Sequence, residues 1–187
     1  MKKVLLSMLI CAAFQIGKAQ SIIPTFKNNT ELHYSCKLHG QTRALTLNAD
    51  LTNDALIFKL ETRGVKSSIV TTKEGLKNGN ALSYSQGEYA PVLNLKPSET
   101  FFMISQSAYQ DLIQNKKFVY NNTIYDLVEN DSKAAVILDG KAVEAFHIKA
   151  QIDATEMWIV KNPEFPLICK VTKNPLGINW TLVKIVP

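Results

Sequence analysis

The sequence predicts a mainly β fold with one or two helices (α+β), in which a large curved antiparallel sheet or half-barrel packs on a helix. Three observations carry that prediction. Apolar residues alternate with period two along most of the chain, the spacing of strands with one buried face. Strands and helices do not alternate in the rhythm a parallel sheet requires. Several apolar runs, ALIF, FFMI and MWIV, are apolar at consecutive positions, so each face of the sheet needs a cover: the helix on one, a loop or a ligand on the other.

The elements follow in order. Glu31 to Leu38 places Leu32, Tyr34, Cys36 and Leu38 on one side, and Ala44 to Leu51 does the same with Leu45, Leu47, Ala49 and Leu51. Thr52-Asn53-Asp54 is a turn cluster, after which ALIFKLET (55–62) reads as a more buried strand that Gly64 ends. Ser67 to Thr72 is a β-branched run, and Thr72-Lys73-Glu74-Gly75 starts one short helical turn. Gly87, Pro91 and Pro97 punctuate Ser83 to Pro97, which reads as a surface loop or an irregular edge, and as the best place for a mobile lid over any cavity. ETFFMI (99–104) reads as a strand. SQSAYQDLIQN (105–115) is the convincing helix: Ser105 caps it, Ala108, Leu112 and Ile113 form its stripe, and Asn115 ends it. KFVY and TIYDLVE form a hairpin across Asn121-Asn122. Ala134 to Leu138 and Lys141 to Ile152 form another across Asp139-Gly140. Three strands close the chain: 156–160, 167–172 and 178–186.

The triplet Lys-Asn-Pro occurs at Lys161 and again at Lys173. Proline pushes the preceding asparagine out of the helical region and cannot serve a central ladder. Each triplet therefore reads as a device that ends one strand and turns the chain into the next.

The N-terminal stretch MKKVLLSMLICAAFQIGKAQ has a basic start, an apolar run from Val4 to Phe14 and small residues at Gly17 and Ala19. This is the pattern of a secretory signal peptide over 1–19, cleaved between Ala19 and Gln20. The run is too short to span a bilayer, and Ile10 before Cys11 is branched where a lipoprotein signal wants a small residue. The expected mature chain, 20–187, is a single β-rich domain with no membrane span, in a periplasmic or secreted location. The whole chain carries 21 basic and 16 acidic residues. Losing Lys2, Lys3 and Lys18 with the signal leaves 18 against 16, a formal +2. Without a basic cluster interleaved with aromatics, nucleic-acid binding has no electrostatic footing.

Cys36 and Cys169 remain. An oxidising compartment permits a disulfide between them, and two buried free thiols are the alternative. His33 and His147 fall on polar strand faces and His39 in a turn, without the spacing that puts two imidazoles on one metal. No metal ligand set, cofactor motif, nucleophile elbow or phosphate loop is present, and Cys169 and His147 point to opposite faces. Asp126, Glu129, Asp131, Asp139, Glu144, Asp153 and Glu156 are scattered among turns and strand edges. Asn28, Asn121 and Asn179 head Asn-x-Ser/Thr triplets, read as polar turns.

The pattern HIKAQIDATEMWIVKNPEFPLICKV…INWTLVKI, from Phe146 onward, resembles the closing strands of periplasmic LolA/LolB-like proteins and their uncharacterised relatives. There a strand with a central Trp precedes an Asn-Pro turn, a Pro-Leu-led strand and a last strand. The resemblance implies a curved half-barrel around an apolar cavity, with Phe146, Trp158, Leu167 and Trp180 as the cavity residues. The expected function is then non-enzymatic: holding a lipid or other apolar small molecule. A chain of roughly 14 carbons would gain about 10 kcal/mol from burial before entropy costs. The alternatives are an envelope protein–protein interaction module with a solid core, and a hydrolase whose carboxylates converge only in three dimensions.

Overall fold

The computed structural model describes residues 21–62, 64–84, 91–129 and 136–187. The expected signal peptide and its cleavage site lie outside the described residues, as do Asp131 and the centre of the 83–97 loop.

The sheet begins with four antiparallel strands in chain order: β1 (Glu31–Leu38), β2 (Gln41–Leu51), β3 (Ala55–Thr62) and β4 (Val65–Thr72). The β1–β2 turn is made by His39 and Gly40, both at positive φ, the chemistry of the tight hairpins that match strand twist. After β4 comes the expected short helix, α1 (Lys73–Asn78), which Thr72 caps: the Gly75 N–H donates to Thr72 Oγ1 at 3.1 Å. Two short strands follow, β5 (Ala81–Leu82) and β6 (Val92–Asn94); β6 pairs in parallel with β4.

ETFFMI departs from the expected strand. Only β7 (Glu99–Thr100) is strand, paired in parallel with β5. Phe102 then turns through φ +54°, and Met103 makes a lone antiparallel bridge to Leu167. The Ile168 N–H donates to Phe102 O, and the Ile104 N–H to Pro166 O. Residues 101–105 are all buried. The segment is apolar on both sides because it lies between the sheet and the rest of the core, not because it is a central strand.

Helix α2 (Gln106–Asn115) starts on Ser105, whose Oγ accepts from the Ala108 N–H at 3.3 Å. It leads through Lys116, at φ +58°, into β8 (Lys117–Tyr120). Asn121 and Asn122, both at positive φ, turn the chain into β9 (Thr123–Leu127). The second hairpin is β10 (Val136–Leu138) and β11 (Lys141–Val143) around Asp139-Gly140. Its expected long return strand is divided: the chain re-enters the main sheet as β12 (Ala145–Ala150), and Ile152 is exposed in bends beyond it. β13 (Glu156–Val160), β14 (Ile168–Thr172) and β15 (Ile178–Val186) complete the main sheet.

The eleven strands run β6-β4-β3-β2-β1-β15-β14-β13-β12-β9-β8. Every pairing is antiparallel except β4–β6, and the sheet is not closed into a barrel. This is the predicted curved-sheet α+β class. The inner face carries Leu32, Tyr34, Leu47, Phe58, Ile69 and Leu182, all at most 1% exposed. Among the described residues, no helix is long and apolar enough to cross a membrane.

Both Lys-Asn-Pro triplets are turns. Asn162 Oδ1 accepts from the Glu164 and Phe165 N–H groups at 3.0 and 3.2 Å. Asn174 Oδ1 accepts from the Leu176 N–H at 2.8 Å, just after Lys173 at φ +57°. These asparagine side chains cap their own loops, which is why Asn recurs before Pro.

Candidate functional site

Residues paired directly across neighbouring strands project to the same face. The register therefore defines rows across the sheet. One inner row runs Ile148, Met157, Val171, Trp180, Cys36 and Arg43. The adjoining outer row runs His147, Trp158, Lys170, Thr181, Ser35 and Ala44. The inner row is apolar until its last member, Arg43.

An open apolar cavity of about 90 Å³ lies where that row ends. Leu38, Leu45, Leu60 and Ile178 form its aliphatic walls, and Phe101, Phe102, Tyr84 and Trp180 its aromatic ones. The ring centroid of Phe102 is 4.6 Å from that of Trp180, 4.5 Å from Tyr34 and 4.7 Å from Phe101. A bulky residue at positive φ is strained and persists only where its surroundings over-determine it. Here the ring contacts supply that determination. The Trp180 Nε1–H donates to Ile168 O at 3.1 Å, which fixes the indole against the wall. Tyr84 is held from the second Lys-Asn-Pro turn, where Asn174 Nδ2 donates to its hydroxyl at 3.3 Å.

The four residues expected to share a cavity do not converge. Trp180 alone of them lines it. Trp158 stands on the outer face, stacked on His147 at 4.3 Å with the rings 5° from parallel, and Lys170 Nζ lies 4.3 Å from its centroid. Phe146 packs against Tyr109 of α2 at 5.8 Å, with Lys161 Nζ 5.1 Å from its ring. Leu167 is buried at the Met103 bridge. The two tryptophans occupy opposite faces because Trp158 falls in the outer row and Trp180 in the inner one.

Cys36 and Cys169 are both buried free thiols. The disulfide fails on topology: β15 lies between β1 and β14. Two strand spacings put the Cα atoms roughly 10 Å apart or more, against the ~4.4–6.8 Å that bridging needs. Burial pushes the Cys36 thiol up to about 11 and the Cys169 thiol up to about 12. The Cys169 thiol donates to Trp158 O at 3.2 Å. Cys36 lines the cavity, but as an un-ionised thiol it is a weak nucleophile. Burial, and secondarily the two thiols, raise the Tyr34 phenol as well.

Several of the remaining polar candidates are committed elsewhere. His147 sits against Trp158 with its side chain 11% exposed, more enclosed than its polar-face position suggested; its Nε2 lies 3.5 Å from Glu156 Oε2. Glu156 also meets Lys173 Nζ at 2.7 Å, and that hydrogen bond holds its carboxyl below the ordinary range. Asp126 accepts from Gln151, and Asp153 caps Thr155. His33 bridges Glu31 and Thr46. Asn28, Asn121 and Asn179 each accept a backbone N–H, from Leu51, Leu82 and Asn174 respectively. Among the described residues, no group of three or more His, Cys, Asp or Glu is placed to hold a metal ion.

No protein family model matches the chain, and no curated protein or solved structure matches it.

Proposed function

We propose that this protein is a secreted or periplasmic non-enzymatic binding protein that takes an apolar ligand at the inner-face cavity. The observation that carries the reading is the cavity wall: four aromatic and four aliphatic side chains around an open space, with Phe102 held at positive φ to build it. The loose likeness of the closing strands to LolA/LolB-like proteins is in keeping with such a role.

The volume bounds the ligand. About 90 Å³ is less than the ~150 Å³ cavity that accepts benzene and well under the roughly 300–1,000 Å³ of drug-sized pockets. A long acyl chain is not swallowed whole; a short tail, or the end of a longer one, enters. Each CH₂ buried contributes about 0.8 kcal/mol, and a space this small takes only a few, so the affinity expected from burial alone is modest.

The test is native mass spectrometry of the mature protein purified gently from a periplasm, beside the Leu45→Trp variant, which fills the cavity. An apolar adduct released by denaturation and absent from Leu45→Trp supports the reading. A bare wild-type chain that also takes up no added 1-octanol contradicts it and favours the interaction module.

A further inference from the structure

We infer that the cavity selects apolar ligands with an anionic end, a short- or medium-chain carboxylate, whose headgroup Arg43 receives at the mouth. This rests on the cavity reading above and names its ligand class.

The strand register places Arg43 on the ligand side of the sheet. Arg43 is paired with Cys36, and Cys36 with Trp180, so the guanidinium closes a row whose other members are buried in the core. Arg43 is itself exposed while lining the cavity, which puts the charge at the opening and the aromatic wall behind it. An amphiphile entering tail first presents its head to that guanidinium.

The charge is also free for the task. None of the described residues lining the cavity is acidic. Arg43 donates from Nη2 to the neutral Gln41 Oε1 at 2.8 Å, which orients the guanidinium without neutralising it. Four other cations are already engaged: Lys59 with Asp50, Lys173 with Glu156, Lys170 over Trp158 and Lys161 over Phe146. A guanidinium keeps donors in a planar fork matched to a carboxylate. The Thr62 and Ser83 side chains, also at the cavity, add polar surface suited to a head and not to a tail.

The experiment compares octanoate with 1-octanol by calorimetric titration at neutral pH and low salt, on the wild type, Arg43→Gln and Arg43→Lys. Because Arg43 is exposed, both variants are expected to fold, and thermal melts check that. The expected result is octanoate binding about fivefold tighter than octanol, the size of an exposed ion pair. Arg43→Gln abolishes the preference, while Arg43→Lys retains part of it. Equal binding of the two probes by the wild type, or a preference that survives Arg43→Gln, overturns the inference and leaves the cavity reading standing. Failure of both probes to bind overturns the cavity reading and the inference with it.

Discussion

The rings of Phe102 and Trp180 lie 4.6 Å apart, one on the segment that crosses the inner face and one on β15 of the sheet beneath it. That contact joins the crossing segment to the sheet and forms part of the cavity wall. It also holds Phe102 in a left-handed conformation that its side chain disfavours.

The strain at Phe102 makes an unusual ordering of variants. Losing the ring costs about 3–5 kcal/mol. Beyond that, Phe102→Gly is expected to be more stable than Phe102→Ala by about 1–2 kcal/mol, because only glycine adopts positive φ freely. Urea unfolding of both variants measures the order. Alanine above glycine, the usual ranking, would count against the left-handed backbone.

The two thiols are expected to stay reduced in an oxidising compartment. The intact mass of residues 20–187 should match two free cysteines, and reductant should leave the melting temperature unchanged. Alkylation should be slow in the folded state and rapid in denaturant, since both thiols are buried. A mass two hydrogens lighter would mean that β15 does not separate the two strands as described.

Alkaline pH should destabilise the fold. Cys36 and Cys169 rise from 9.0 to about 11 and about 12, and Tyr34 is raised by burial. A raised acid holds its proton longer folded than unfolded, so its contribution is complete below the unfolded value and is lost as pH climbs from about 9 through 11 to 12. The double variant Cys36→Ala/Cys169→Ala should show a shallower loss over that window in melts taken at several pH values. An unaltered slope would assign the alkaline transition to other groups.

Acid should act through Glu156. Lys173 holds this carboxyl below its ordinary 4.5, with His147 contributing. The stabilisation is present above the unfolded value and disappears as pH falls through the folded one. Glu156→Gln should be less stable than wild type at neutral pH, and the difference should shrink on acidification. A gap that is constant with pH would show that the interaction is not ionic.

Much of the architecture was legible because it is written locally. Asn121-Asn122, Asp139-Gly140 and His39-Gly40 are suited to positive φ, Ser105 and Thr72 cap their helices, and Asn before Pro builds its own loop. The ligand site was not legible, because it depends on register accumulated across several strands. Trp158 and Trp180 look alike in sequence, yet one falls in the outer row and one in the inner. ETFFMI is apolar on both sides, as a central strand or a segment sandwiched in the core would equally be. Arg43 reads as an ordinary strand-end charge until Cys36 and Trp180 are found beside it.

Trp180 itself reports most directly whether a ligand enters at this wall. Trp158→Phe leaves Trp180 as the single tryptophan, and its emission is followed during titration with 1-octanol. A ligand cavity lined by Trp180 should give a saturable spectral change that is reversed on dilution and lost in Trp158→Phe/Leu45→Phe. A Trp180 signal that does not respond, in a variant that melts as a folded protein, would contradict a ligand cavity at this wall.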